Sequence, residues 1–105
     1  MELDLQFEGI SKLYVKASGR LDLDSAVQYG TTIKDAIEDS EETITELVLD
    51  FAEITFISSY GLKVILELFK IMQEQGSLKL VNVSEQINKA FKLVGFDKFL
   101  VIENV

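Results

Sequence analysis

Two clusters of small polar residues stand out for the chemistry they could carry. The first is Ser58-Ser59-Tyr60-Gly61-Leu62-Lys63, where two hydroxyls precede an apolar run. A serine at the start of a helix faces unpaired backbone N–H groups and the positive end of the helix dipole. A phosphate placed there would be locally stabilised, and it would add about −1.5 to −2 charge. The second cluster is Asp22-Leu23-Asp24-Ser25, which offers two carboxylates and a hydroxyl. Charge added at the serines, on a surface already acidic at Asp22 and Asp24, would repel a protein docked over the turn. Binding could then be switched off without refolding. Both clusters also have a purely structural reading, in which Ser58, Ser59 and Asp22 cap helices.

Most catalytic chemistry is excluded. The 105-residue chain has no His and no Cys, which removes the serine triad, thiolate nucleophiles and the commonest metal ligands. A serine nucleophile would need a Lys or carboxylate base. Lys63 lies four residues after Ser59, but pairing with Glu67 accounts for it better. Asp22 and Asp24 lack the Gly and Glu of a calcium loop, since Val27 and Ile33 stand there. No Gly-Lys-Ser/Thr phosphate loop occurs. A binding protein without metal or cofactor is expected, not an enzyme.

The formal net charge is −8, which opposes nucleic acid and anionic lipid. The charge is uneven. Residues 1–55 carry 13 Asp and Glu against 4 Lys and Arg, whereas residues 56–105 carry 5 against 6. The acidic half suits a basic protein partner, or simply forms a solvated helix face with the acidic turn Ser40-Glu41-Glu42. The most apolar stretch, Val64 to Met72, contains Glu67 and Lys70 and is too short to insert into a membrane. The acidic start, Met1-Glu2-Leu3-Asp4, is unlike a secretion signal. A cytoplasmic location is expected.

The elements that must position these clusters follow from periodicity. Leu3, Leu5 and Phe7 alternate with polar residues as in a half-buried strand. Glu8-Gly9 turns the chain into a second strand over Leu13 to Ala17, closed by Ser18-Gly19. A helix follows the Asp22 cluster, with Ala26, Tyr29, Gly30, Ile33 and Ile37 at helical spacing. Glu46 to Phe51 suits a central strand. The second helix runs from Ser58-Ser59 to about Gln75, where Gly76 supplies the left-handed stop. Its polar stripe is Lys63, Glu67, Lys70 and Glu74. The wide apolar remainder reads as a helix wedged between sheet and neighbouring helix, or as a partner surface near Leu62 and Val64. Leu78 to Val83 is a strand. A third helix starts at Ser84 and presents Ile87, Ala90, Phe91 and Val94, with Gly95 past its end. Phe99 to Ile102 is the last strand. Alternation of this kind predicts one α/β domain over 1–105, a mixed sheet of about five strands with helices mainly on one side.

The order of five segments resembles the STAS domain, and within it the bacterial anti-sigma factor antagonists. These are Gly19-Arg20-Leu21-Asp22, Leu47-Val48-Leu49-Asp50-Phe51, Ile54 through Leu66 with the turn Ser58-Ser59-Tyr60-Gly61-Leu62, Gly76 through Val83, and Phe91-Lys92-Leu93-Val94-Gly95-Phe96. The resemblance covers nearly the whole chain. The family turn is typically Asp-Ser-[Ser/Ala]-Gly-Leu, whose first Ser is phosphorylated. Aligned on Gly61-Leu62, that position is Ser59, with Ser58 as the alternative. Ser58 then stands where the family has Asp, and Tyr60 where it has a small residue. The resemblance implies a transcription regulator that binds an anti-sigma factor with serine kinase activity. Asp22, Asp24, Ser25, Ser58, Ser59, Tyr60, Gly61, Leu62 and Lys63 would form the docking surface, and a metal-dependent serine phosphatase would reset the switch. STAS subunits of lipid-transport ABC complexes, which need no phosphorylated serine, are one alternative. A small-ligand sensor with a pocket near Leu62 to Phe69 is another.

Overall fold

The computed structural model describes residues 1–104. Strands β1 (Glu2–Glu8) and β2 (Lys12–Leu21) form an antiparallel hairpin, turned at Gly9 with φ +66. Helix α1 (Leu23–Asp39) leads to β3 (Glu46–Ile57), α2 (Ser59–Gln73), β4 (Ser77–Val81), α3 (Glu85–Leu93), a short 3-10 turn (Phe96–Lys98) and β5 (Val101–Glu103). The sheet order is β1-β2-β3-β4-β5, with every pairing after the hairpin parallel. This is the mixed five-stranded α/β architecture that the alternation predicts.

Side chains alternate across the sheet. Leu13 and Val15 of β2, Leu47, Leu49 and Phe51 of β3, and Leu78 and Leu80 of β4 join one core with the three helices. That core includes Tyr29 and Ile33 of α1, Ile65, Leu68 and Met72 of α2, and Ile87 and Phe91 of α3. The Phe51 and Phe91 rings lie 6.2 Å apart and tie α3 to the same face. Tyr14, Lys16, Val48, Asp50 and Lys79 alternate with these core positions and line the helix-free face.

Several boundaries differ from the sequence reading. Ser18-Gly19 does not close β2; the strand continues to Leu21. Its partner β3 carries an extra residue opposite Lys16–Ser18 and another opposite Gly19–Arg20, so pairing survives as bulges. β3 accordingly runs six residues past Phe51. Helix α2 ends at Gln73, and Gly76 has no left-handed conformation. A side chain there would instead collide with the Thr45 carbonyl, so the glycine allows close backbone approach. β4 stops at Val81 because Asn82 takes φ 59. Gly95 does adopt the left-handed conformation, at φ 80. Buried Phe96 then stacks 6.2 Å from Phe91, and Phe99 packs 4.7 Å from Phe69. The aromatic cluster draws Phe99 out of the last strand, which begins only at Val101.

One polar group is buried at the centre of the open face. Asp50 is 6% exposed. Its carboxylate accepts hydrogen bonds from the Tyr14 hydroxyl at 2.6 Å, the Ala52 N–H at 2.9 Å and the Asn82 side-chain amide at 3.2 Å. Desolvation pushes its pKa up, but these three donors, with Lys16 nearby, outweigh it and hold the pKa below the ordinary value of 3.8. The same bond pushes the Tyr14 hydroxyl up to about 12. A carboxylate with a lowered native pKa stabilises the fold fully above its unfolded value and loses that contribution as pH falls through the native one. Urea unfolding should therefore show stability falling below about pH 4, and Asp50→Ala should cost about 2 kcal/mol at neutral pH and flatten that acid limb. Tyr29 is the converse case. Its hydroxyl is fully buried without a hydrogen-bond partner among the described residues, so Tyr29→Phe should leave stability unchanged or raise it by about 1 kcal/mol.

Candidate functional site

The site is built where β2 and β3 end. Their parallel register closes on the pair Leu21 and Ile57. One residue later each chain enters a helix, with Asp22 as N-cap of α1 and Ser58 as N-cap of α2. The Ser58 N–H donates to the Leu21 carbonyl at 2.9 Å, fastening the two turns together. Two helix N-termini therefore emerge side by side at one end of the sheet.

Each cap is satisfied locally. Asp22 accepts the Ser25 N–H at 3.2 Å, and the Ser25 hydroxyl accepts the Asp22 N–H at 3.0 Å, which completes a capping box. The Ser25 hydroxyl also lies against the Arg20 carbonyl and Asp22 Oδ1, to one of which it donates. The Ser25 hydroxyl, then its backbone N–H, draw the Asp22 pKa below the ordinary range. At the other turn the Ser58 hydroxyl accepts the Gly61 N–H at 3.1 Å. Serine thus fills the capping role for which a carboxylate was the alternative at this position. Ser59, the first residue of α2, is exposed, and its hydroxyl makes no hydrogen bond among the described residues.

The remaining residues divide by burial. Asp24, Tyr60 and Lys63 are exposed; Leu62 is half-buried. Gly61 is buried. A methyl group on it would lie 2.6 Å from Ile57 Cγ1 and 3.1 Å from the Leu21 carbonyl oxygen. It therefore holds the two turns in contact and offers no docking surface. Val64 is 6% exposed and packs against Gly30 of α1, so it belongs to the helix–helix seam. The expected Lys63–Glu67 pair is also absent. Glu67 instead meets Lys34 of α1 at 3.0 Å, and the Lys63 ammonium sits 5.6 Å from the centre of the Tyr60 ring.

The sequence reading missed the contribution of α1 beyond its first turn. Val27, Thr31 and Lys34 face Tyr60, Lys63 and Glu67 across an open cleft of 210 Å³. Leu23 and Val27 are exposed apolar residues one helical turn apart, and Val27 shares the cleft with Tyr60, itself 47% exposed. Their spacing off the Ala26–Ile33 face was the available signal. Arg20 lies 4.1 Å over the Phe56 ring on the neighbouring strand.

A family model for the STAS domain matches residues 5–105. Solved structures agree in fold. The anti-sigma factor antagonist SpoIIAA in its unphosphorylated form matches with a TM-score of 0.76 at 20% identity, over 96% of this chain and 86% of that one. The phosphorylated form of the Bacillus cell fate determinant SpoIIAA gives a TM-score of 0.74 at 20% identity, over 96% and 90%. An anti-sigma factor antagonist from Mycobacterium paratuberculosis gives 0.84 at 20% identity, over 97% and 84%. At such identities the likeness is one of fold. Among the described residues, no helix is long and apolar enough to cross a membrane.

The packing at Gly61 is testable. Gly61→Ala should lower the unfolding free energy by about 1–3 kcal/mol, measured by urea titration, because the added methyl meets Ile57 and backbone at once.

Proposed function

The chain belongs to the STAS domain family, and from that premise we propose that it is an anti-sigma factor antagonist. It would bind an anti-sigma factor that is also a serine kinase, freeing a sigma factor in the cytoplasm of a bacterium. ATP chemistry would belong to that partner, and this chain would be a binding protein without cofactor or catalytic role. Phosphorylation of Ser59 would end the interaction, and a metal-dependent serine phosphatase would restore it.

The observation that carries this reading is the contrast between the two serines. The Ser58 hydroxyl is committed to the Gly61 N–H, whereas Ser59 is exposed with its hydroxyl unengaged. A kinase can reach the second without uncapping the helix. Asp22 at the neighbouring cap, and Asp24 in the first turn of α1, are exposed and acidic. Phosphate at Ser59 would concentrate negative charge on this end and oppose a partner that docks there through Asp22, Asp24, Ser25, Tyr60, Leu62 and Lys63. SpoIIAA has been solved in phosphorylated and unphosphorylated forms, which is consistent with such a cycle in a protein of this fold. Tyr60 is compatible with the same role: it is exposed, shares a cleft with Val27 and adds apolar contact area.

Incubation with a candidate anti-sigma factor kinase and ATP, followed by mass mapping, should place one phosphate on Ser59. Ser59→Ala should abolish it, and Ser58→Ala should retain it. Ser59→Asp should weaken kinase binding by about tenfold or more in a titration. No phosphate, or one away from this turn, would leave a constitutive adaptor, such as the STAS subunit of a transport complex, as the better reading.

A further inference from the structure

We propose that the free edge of β1, with the recess beside it, is a second docking surface that takes an extended cationic segment of another protein bearing one apolar side chain. From Glu2, which pairs with Ser18, the edge runs along β1 to the recess at the end of the sheet opposite Ser59. The hairpin turn before Lys12 sits there, because Lys12 pairs with Glu46 at the start of β3.

Three observations converge on it. β1 pairs with β2 on one side, and among the described residues no strand lies against its other side, so alternate residues of the seven present backbone N–H and C=O groups outward. Such an edge is a template for strand addition. Next to its end lies an open recess of 420 Å³ walled by Phe7, Ala36, Asp39, Ser40 and Glu41. Phe7 is 54% exposed and Ile10, on the turn, 75%. These are large apolar groups to leave in water, and a strand added to β1 would place alternate side chains beside Phe7.

Charge selects the occupant. Glu2, Asp4 and Glu8 alternate along β1 and point to the other face. Glu38, Asp39, Glu41 and Glu42 gather at the C-terminus of α1, where the helix dipole is already negative and its last turn contains no basic residue. None of these four is in an ion pair among the described residues. No Lys or Arg occurs between Lys34 and Lys63. This arrangement works against the helix, and a cationic occupant would relieve it. It also repels a second copy of this chain, whose net charge is −8. The edge is thus protected against self-pairing yet open to a basic strand, a specificity set by repulsion as well as attraction.

The probe is a synthetic peptide of about ten residues that alternates Lys with Val around one central Phe, with a Glu-for-Lys version as control. Each is titrated into the isotope-labelled full chain and followed by backbone amide NMR and hydrogen exchange. The Lys peptide should shift the amides of Leu3 to Glu8 and slow the exchange of the alternate ones that face outward, and added salt should weaken it. Phe7→Ser should weaken it about tenfold with the rest of the spectrum intact, as should Asp39→Lys with Glu41→Lys. Overturning results are no change at β1 at millimolar peptide, shifts centred elsewhere, equal binding of the Glu peptide, or indifference to Phe7→Ser.

Discussion

The parallel pairing of Leu21 with Ile57 is the constraint on which the rest depends. It makes β2 and β3 end at one level, so that the two helices which follow begin as neighbours. Two capping residues, Asp22 and Ser58, and two positive helix ends are thereby set against each other. The Ser58 N–H to Leu21 carbonyl bond fixes their spacing, and Gly61 permits it by having no side chain to separate them. Exposure of Ser59 is a geometric consequence: the residue before it caps and the residue two places on is buried. The chemical identity of the site therefore comes from backbone register as much as from the serine itself.

The open sheet face is held by different means. Ion pairs from Lys12 to Glu8, Lys16 to Glu53 and Lys79 to Glu103 lie across it at 3.2 to 3.5 Å. Each is solvent-exposed and contributes little alone. The buried Tyr14–Asp50–Asn82 bonds matter more, because breaking them strands a carboxylate away from water. Asn82 takes a left-handed conformation at the end of β4, and from there its amide reaches Asp50. A sheet that covers one face with helices and the other with polar bonds can leave both of its ends free for interaction.

Much of this was legible in the sequence. Alternation in Leu3-Leu5-Phe7 and the helical spacing of Tyr29, Ile33 and Ile37 marked elements that the structure contains. Caps at Asp22, Ser58 and Ser84 announced helix starts within a residue. What escaped depended on contacts between distant segments. The bulges that carry β3 to Ile57 exist only against β2. Gly76 is required by Thr45, thirty-one positions away, which a reading of the helix end by itself could not anticipate. Glu67 chose Lys34 over Lys63 because α1 packs on α2, and periodicity within one helix is blind to its neighbour. Phe99 left the last strand for the aromatic cluster for the same reason.

The central claim is that charge at Ser59 alters the docking end without disturbing the fold. The most direct measurement compares backbone amide spectra of the chain with serine and with genetically encoded phosphoserine at position 59. The account predicts shifts confined to Leu21–Ser25 and Ser58–Lys63, with the sheet and α3 unchanged. Shifts spread through β4, α3 and β5, or loss of α2, would contradict it.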